Sequence, residues 1–258
     1  LTGKAGLSPV RNDPVRILIL GGTAEARQLA RRLEGDARFS PLTSLAGVTD
    51  RPAEIAGDIR TGGFGGVEGL MDFIAKERIA LMVDAAHPFA VKISANAAQA
   101  STQTGIGCLR FERPPWQEQP GDYWTHVKDI ENAVQAIPED ARVLVTIGRQ
   151  KIAAFFSRPD IHVIARMIEK FSSPVPGNAE IFLARPPFTL EQEYALLEEK
   201  GITVLVTRNS GGNATFAKIG AARELGIPVI MITRPQKAEV TTLASIEALL
   251  ENIEAELS

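Results

Sequence analysis

A chain of 258 residues, 45% hydrophobic and 23% charged, has the composition of an ordinary folded protein with one large or two modest domains. Its formal net charge of -3 supplies no basic footprint for nucleic acid, so an anionic ligand has to be met by locally placed arginines. The single cysteine, Cys108, excludes an internal disulfide framework and a multi-cysteine metal site; no apolar run approaches the roughly 20 residues of a membrane span, residues 1–14 lack the apolar core of a signal peptide, and the cytoplasm is the expected compartment.

The first element is Arg16-Ile17-Leu18-Ile19-Leu20, an apolar strand that ends in Gly21-Gly22-Thr23 and passes directly into a helical pattern from Ala24. Glycine lets the backbone turn sharply, and a helix start leaves amide N–H groups available to an anion. Gly21, Gly22, Thr23 and Arg27 are therefore candidate cofactor contacts. The full G-x-G-x-x-G fingerprint is absent, since Glu25 and Ala26 stand where further glycines would be, so a plain strand-to-helix turn is the competing reading. A second strand, Ser40-Pro41-Leu42-Thr43-Ser44-Leu45, ends in Ala46-Gly47, and the first acid beyond it is Asp50, followed by Arg51. An acid at the end of this strand is the usual partner of the NAD ribose, so the pattern argues against a standard NAD site and leaves NADP open.

Next comes Gly62-Gly63-Phe64-Gly65-Gly66, which cannot be a regular element and reads as a loop whose backbone approaches a bulky ligand. Ala80-Leu81-Met82-Val83-Asp84 is a buried strand carrying an acid at its end, with His87-Pro88-Phe89 just beyond. In open α/β sheets chemistry collects past the carboxyl ends of strands, which makes Asp84 and His87 a candidate catalytic pair. The alternative is that Asp84 caps the next helix and His87 packs. A strand over 106–111 leads to Arg113-Pro114-Pro115-Trp116, a stiffened connection offering a cation and a flat apolar face.

A similar plan then recurs. Residues 129–137 read as helix, and Val143-Leu144-Val145-Thr146-Ile147 is a strand ending in Gly148-Arg149-Gln150-Lys151. A strand over 162–166 precedes an irregular, proline-rich segment through 188, and residues 189–200 form a helix with Thr189 as N-cap. Thr203-Val204-Leu205-Val206-Thr207 is a strand followed by Arg208-Asn209-Ser210-Gly211-Gly212, and a helix over 214–225 carries Lys218 in its first turns. Gly-Gly with Arg, Asn and Ser at a helix start suits a phosphate or carboxylate. One more strand over 227–232 and a helix over 243–257 close the chain. The expected architecture is α/β, with two Rossmann-like three-layer domains of largely parallel strands at 15–125 and 126–258 and ligands in a cleft between them. Tyr-x-x-x-Lys, G-x-S-x-G, Walker A and H-E-x-x-H motifs are all absent, and His87, His126 and His162 lack metal-ligand spacing, so no metal is expected.

Taken in order, Gly21-Gly22-Thr23-Ala24-Glu25-Ala26-Arg27, Ser44-Leu45-Ala46-Gly47, Gly62-Gly63-Phe64-Gly65-Gly66, Asp84-Ala85-Ala86-His87-Pro88-Phe89-Ala90, Arg113-Pro114-Pro115-Trp116 and Arg208-Asn209-Ser210-Gly211-Gly212 resemble the motifs of the precorrin-6A reductase family. Val48 departs from the pattern, which has a basic residue there. The resemblance implies an NADPH-dependent reductase of cobalamin biosynthesis that converts precorrin-6A to precorrin-6B without metal or flavin, and it allows neighbouring corrin-pathway enzymes as partners. On this reading Gly21, Gly22, Thr23, Arg27, Arg208, Asn209, Ser210, Gly211, Gly212 and Lys218 contact the cofactor. Ser44, Gly47, Gly63, Phe64, Gly65, Arg113, Trp116, Arg149 and Gln150 contact the large, flat, carboxylate-rich substrate, with Asp84 or His87 delivering a proton. The rival of a different class is a non-catalytic NADP-binding sensor or scaffold.

Overall fold

Successive side chains of a strand point to opposite faces of its sheet, and β1 (Val15–Leu20) uses this fully: Ile17 and Ile19 enter one apolar core, Leu18 and Leu20 another. The structure, a computed structural model, describes residues 13–47 and 54–257. The expectations attached to Val48, Asp50 and Arg51 lie outside the described residues. Alongside β1 run β2 (Phe39–Leu45), β3 (Asp58–Thr61), β4 (Leu81–Asp84) and β5 (Gly107–Phe111). A sixth strand, β12 (Thr241–Leu243), pairs with β5, and the order β12-β5-β4-β1-β2-β3 is parallel throughout. Helices α1 (Ala24–Glu34) and α7 (Ile246–Glu256) bring Leu29, Leu33, Leu249 and Ile253 to the face of Ile17 and Ile19. On the other face α2 (Val67–Glu77) and α3 (Val91–Thr104) bring Leu70, Ile74, Ala97 and Ala100 to Leu18 and Leu20.

The second sheet repeats the plan with β6 (Trp124–Val127), β7 (Arg142–Val145), β8 (His162–Met167), β9 (Ala179–Leu183), β10 (Val204–Arg208) and β11 (Val229–Ile232). Its order, β6-β11-β10-β7-β8-β9, is again parallel. Helices α5 (Leu190–Glu199) and α6 (Ala217–Glu224) pack Leu197, Ile219, Ala221 and Ala222 on Leu144, Ile164, Leu205 and Met231. The remaining helical segments are α4 (Ile130–Gln135) and a 3₁₀ helix (Arg149–Ser157). The Thr189 cap is present as a full capping box with Gln192.

Each sheet takes its sixth position from an out-of-order segment: β6 precedes the strands of its own sheet in the chain, and β12 comes back from the C-terminus to the first sheet. One compact unit accordingly runs up to Glu112 and resumes at Ala238, and the other spans Arg113–Lys237. These limits differ from the expected 15–125 and 126–258. The final helix reads as part of the second half only by sequence position; its apolar stripe, Ile246, Leu249 and Ile253, is buried in the first. The strands that patterning misses, β3, β6, β9 and β12, all lie at or next to sheet edges and carry half-exposed or exposed residues. In both sheets the strand order reverses beside one central strand, at β1/β4 and β7/β10, where open α/β sheets bind ligands.

Candidate functional site

In the first unit the turn after β1 is built against the turn after β4. Gly21 has φ +126°, and a Cβ there would stand 2.6 Å from the carbonyl oxygen of Ala85. Thr23 donates its hydroxyl to that same carbonyl (3.0 Å) and accepts from the amide of Ala26 (3.1 Å), capping α1. Arg27 donates to the carbonyl of Gly22 at 2.8 Å and so pins the turn from outside. The amides of Gly22, Thr23 and Ala24 make no backbone hydrogen bond among the described residues. They sit at the positive end of an eleven-residue helix, the arrangement that holds a phosphate.

Asp84 ends β4 fully buried. Its Oδ2 accepts from Nε of Arg110 at 2.9 Å, and its Oδ1 accepts from the amide of Ala86 at 3.3 Å. Arg110, also buried, reaches on to the carbonyl of Ala238 at 2.8 Å. Asp84 is thus held in a buried ion pair with Arg110, and it shapes the β4 turn through Ala86. His87 keeps Nδ1 as an acceptor for the amide of Phe89 (3.2 Å), which leaves Nε2 as its N–H. Sequence reasoning missed Arg110, although an arginine inside Cys108-Leu109-Arg110-Phe111 signals a buried partner. Burial pushes the neighbouring Cys108 thiol up to about 12, with the Asp84 charge adding to the effect, so it is no nucleophile.

The glycine-rich loop after β3 is organised by another residue that sequence reasoning missed, Arg60. Its Nη1 donates to Ser44 Oγ and to the carbonyl of Gly62, both at 2.9 Å, and its Nη2 donates to the carbonyl of Gly63 at 3.1 Å. The guanidinium carbon lies 3.9 Å from the ring centre of Phe64 and 4.9 Å from that of Phe73. Gly47 adopts φ +72°, with Thr61 beside it.

In the second unit several of the predicted residues come together around Trp116. Trp116, expected to offer a free face, is buried among Leu144, Leu205 and Ile219. Asn209 holds the Trp116 backbone from both sides, accepting from its amide (2.8 Å) and donating to its carbonyl (3.0 Å), while the indole N–H donates to Gly212 at 2.8 Å. Arg113 and Arg234 both donate to the carbonyl of Ser210. A Cβ on Gly211 would collide with the carbonyl of Pro114, and one on Gly212 would come within 2.9 Å of Arg113. The Gly-Gly turn therefore accommodates its own chain. It also stops short of a helix start, because α6 begins at Ala217 rather than 214. Arg208 is half-buried and made less basic by burial. Arg149 and Gln150 open the 3₁₀ helix after β7, with Arg149 donating to the carbonyl of Lys170.

Lys218, expected at the cofactor, is instead buried with Nζ over the Trp116 ring at 4.7 Å and donating to the carbonyl of Thr215. Beside it lies a second buried ion pair, Arg166 to Glu193 at 2.8 Å. Burial pushes the Lys218 ammonium down to about 7, Arg166 lowers it further and Glu193 opposes both. Among the described residues no group of three His, Cys, Asp or Glu side chains is placed to hold a metal, and no helix is long and apolar enough to cross a membrane.

These features define an α/β protein with two Rossmann-like halves, one of which carries an anion-ready turn at its strand-order reversal. The chain belongs to the precorrin-6x reductase family: the model described as Precorrin-6x reductase CbiJ/CobK matches residues 16–254. A Precorrin-6A reductase of Sinorhizobium sp is 46% identical over 240 residues, covering 92% of this chain and 92% of its own length. One of Rhodobacter capsulatus is 43% identical over 237 residues, covering 91% and 94%. The solved structure of CobK precorrin-6A reductase matches with a TM-score of 0.89 at 41% identity, covering 94% of this chain and 97% of that one.

Two outcomes follow. Asp84→Asn leaves Arg110 a buried cation without its counter-charge and is expected to cost about 3–5 kcal/mol in urea unfolding; a cost under about 1 kcal/mol, the surface-pair range, would refute the structural role. For Lys218, the unfolded chain holds its proton up to the ordinary value of 10.5 while the folded chain releases it near 7. The unfolded state therefore binds more protons between those values, and stability rises with pH across that window. Lys218→Met is expected to remove the rise, with its largest stabilisation relative to the parent at or below about pH 7, read from melting temperatures.

Proposed function

We propose that this chain reduces precorrin-6A to precorrin-6B in cobalamin biosynthesis, with NADPH as the reductant. The observation that carries the reading is the match of the family along residues 16–254, supported by relatives of nearly the same length. Saturating one conjugated bond places a hydride on one atom and a proton on its neighbour, and NADPH when bound supplies the hydride. The chain's part is to hold, orient and exclude water.

The α1 start fits a pyrophosphate: Gly22, Thr23 and Ala24 offer amides, Thr23 is fixed by the Ala85 carbonyl, and Arg27 stiffens the turn. A dinucleotide seated there straddles β1 and β4, which assigns the β4 turn with His87 to the reacting half. The start of the 3₁₀ helix, with half-buried Arg149 and exposed Gln150, and the half-buried Arg208 are the proposed seats for substrate carboxylates in the second unit. Proton delivery by Asp84 conflicts with its ion pair to Arg110. Protonating His87 at Nδ1 would set two N–H groups against each other at Phe89. His87 is better suited to donate a hydrogen bond from Nε2, leaving solvent or a carboxylic acid of the substrate as the proton source.

Purified protein mixed with precorrin-6A is expected to oxidise NADPH, followed at the nicotinamide absorbance band, and to bind NADPH at least about tenfold more tightly than NADH, as one charge-assisted contact to the extra phosphate would give. Cofactor binding without turnover would instead support a sensor or scaffold. His87→Ala is expected to slow single turnover by less than the about 10²–10⁴-fold that loss of a general acid costs. A loss in that range, with NADPH affinity intact, would restore His87 as the acid.

A further inference from the structure

The glycine-rich loop is explained only in part by the chain that contains it. Gly62, Gly65 and Gly66 have φ of +111°, +83° and +117°, a backbone region that favours glycine. Gly63 does not share that conformation, and a Cβ built on it meets nothing within 4 Å. Nothing in the described structure requires residue 63 to lack a side chain. Gly69, in the first turns of α2, shows the contrast, since a Cβ there would run into the carbonyl of Phe64.

Arg60 adds charge to this open face. Three of its five N–H donors are used, two at Nη1 and one at Nη2, which leaves Nε–H and one Nη2 hydrogen. All three acceptors are uncharged, and Arg60 has no carboxylate partner among the described residues. The rings of Phe64 and Phe73 flank the guanidinium. Burial lowers its basicity, the cost of a part-desolvated cation with no counter-charge, which an arriving anion would offset.

The position of Arg60 in the sheet selects the anion. Leu20, Ser44 and Arg60 form one row across β1, β2 and β3, one residue before the Gly21 turn. Two strand spacings make about 10 Å, the span of a single nucleotide. In a sheet of this order a dinucleotide whose pyrophosphate sits at α1 lays its adenosine toward β2 and β3. We propose that Arg60, braced by Ser44 and Phe64, receives the 2′-phosphate of NADPH, and that Gly63 is bare so that the adenosine half can lie against the loop. The inference rests on the proposed use of NADPH and reassigns Ser44, Gly63, Phe64 and Gly65 from the macrocycle to the cofactor.

The test is calorimetric titration with 2′,5′-ADP and 5′-AMP, fragments that report binding without turnover. The parent protein is expected to prefer 2′,5′-ADP by about ten- to hundredfold, the range of one charge-assisted contact. Arg60→Gln should bring the ratio near one by weakening 2′,5′-ADP alone, and Arg60→Lys should fall between. Gly63→Val, which adds atoms to open space, should leave the melting temperature unchanged and weaken both fragments. The proposal is overturned if the parent shows no preference, if Arg60→Gln keeps it or weakens both fragments equally, or if Gly63→Val folds and binds both normally. A variant that alters only the KM for precorrin-6A would return the loop to the substrate. Should the fragments behave as expected while precorrin-6A is not reduced, the reductase reading fails and the phosphate site stands.

Discussion

The buried pair of Asp84 and Arg110 organises more of this molecule than any other polar contact in its first unit. It joins the ends of β4 and β5, which are register partners, and Arg110 also holds the carbonyl of Ala238 where the chain re-enters that unit. Through the amide of Ala86 the same carboxylate fixes the β4 turn, and the neighbouring Ala85 carbonyl receives the Thr23 hydroxyl. A line of contacts thus runs from the returning segment to the start of α1. Removing two charges from water costs several kcal/mol each, so such a pair persists only where hydrogen bonds use its remaining atoms. Here the carboxylate is satisfied at both oxygens, and one arginine nitrogen, Nη2, remains buried without a partner.

That return has consequences for folding. Ile246, Leu249 and Ile253 belong to the same core as Ile17, Ile19 and Leu29, separated from them by most of the chain. The first unit cannot complete its core until the last helix has been made, an entropic burden that contacts close in sequence do not carry. The second unit is continuous, and its equivalent polar clamp is local in space and closes on backbone groups: Asn209 on the Trp116 backbone, with Arg113 and Arg234 on the Ser210 carbonyl. Two sheets of the same strand order therefore use their switch-point turns differently. The turn after β1 leaves amides unspent, whereas the turn after β10 is filled by residues 113–116.

Much of this was legible in the sequence because the inner strands are buried on both faces and read as unbroken apolar runs, as in Leu81-Met82-Val83 and Val204-Leu205-Val206. The Thr189 cap and the Gly21-Gly22-Thr23 turn were legible for local reasons, since their chemistry is complete within a few residues. Edge strands were not: β3, Asp58-Ile59-Arg60-Thr61, alternates nothing apolar against a core. The exchange of outer strands was invisible because it is a matter of which sheet an amphipathic segment reaches, and periodicity carries no address. The ordered motifs placed the chain in its family, yet they could not separate residues that meet a ligand from residues that hold the fold. Asp84, Trp116 and Lys218 were each chemically suited to a site, and each proved to be buried against the chain's own groups.

Glycine shows why that separation needs coordinates. A glycine can be required by its own φ, by a neighbouring backbone that leaves no room for Cβ, or by a molecule that is not part of the chain. Gly21 satisfies the first two conditions at once, with φ +126° and the Ala85 carbonyl 2.6 Å from the missing Cβ. Gly211 does the same against Pro114, so its presence says nothing about a phosphate. Gly57 is likewise consumed by the carbonyl of Pro41. Each of these is written with the same letter as Gly63, which meets neither internal condition. Torsion and self-packing leave both Gly63 and Gly177 unaccounted for, and of these Gly63 is the one whose carbonyl is held by the Arg60 guanidinium, so ligand contact is inferred from what stands beside the bare position and not from subtraction alone.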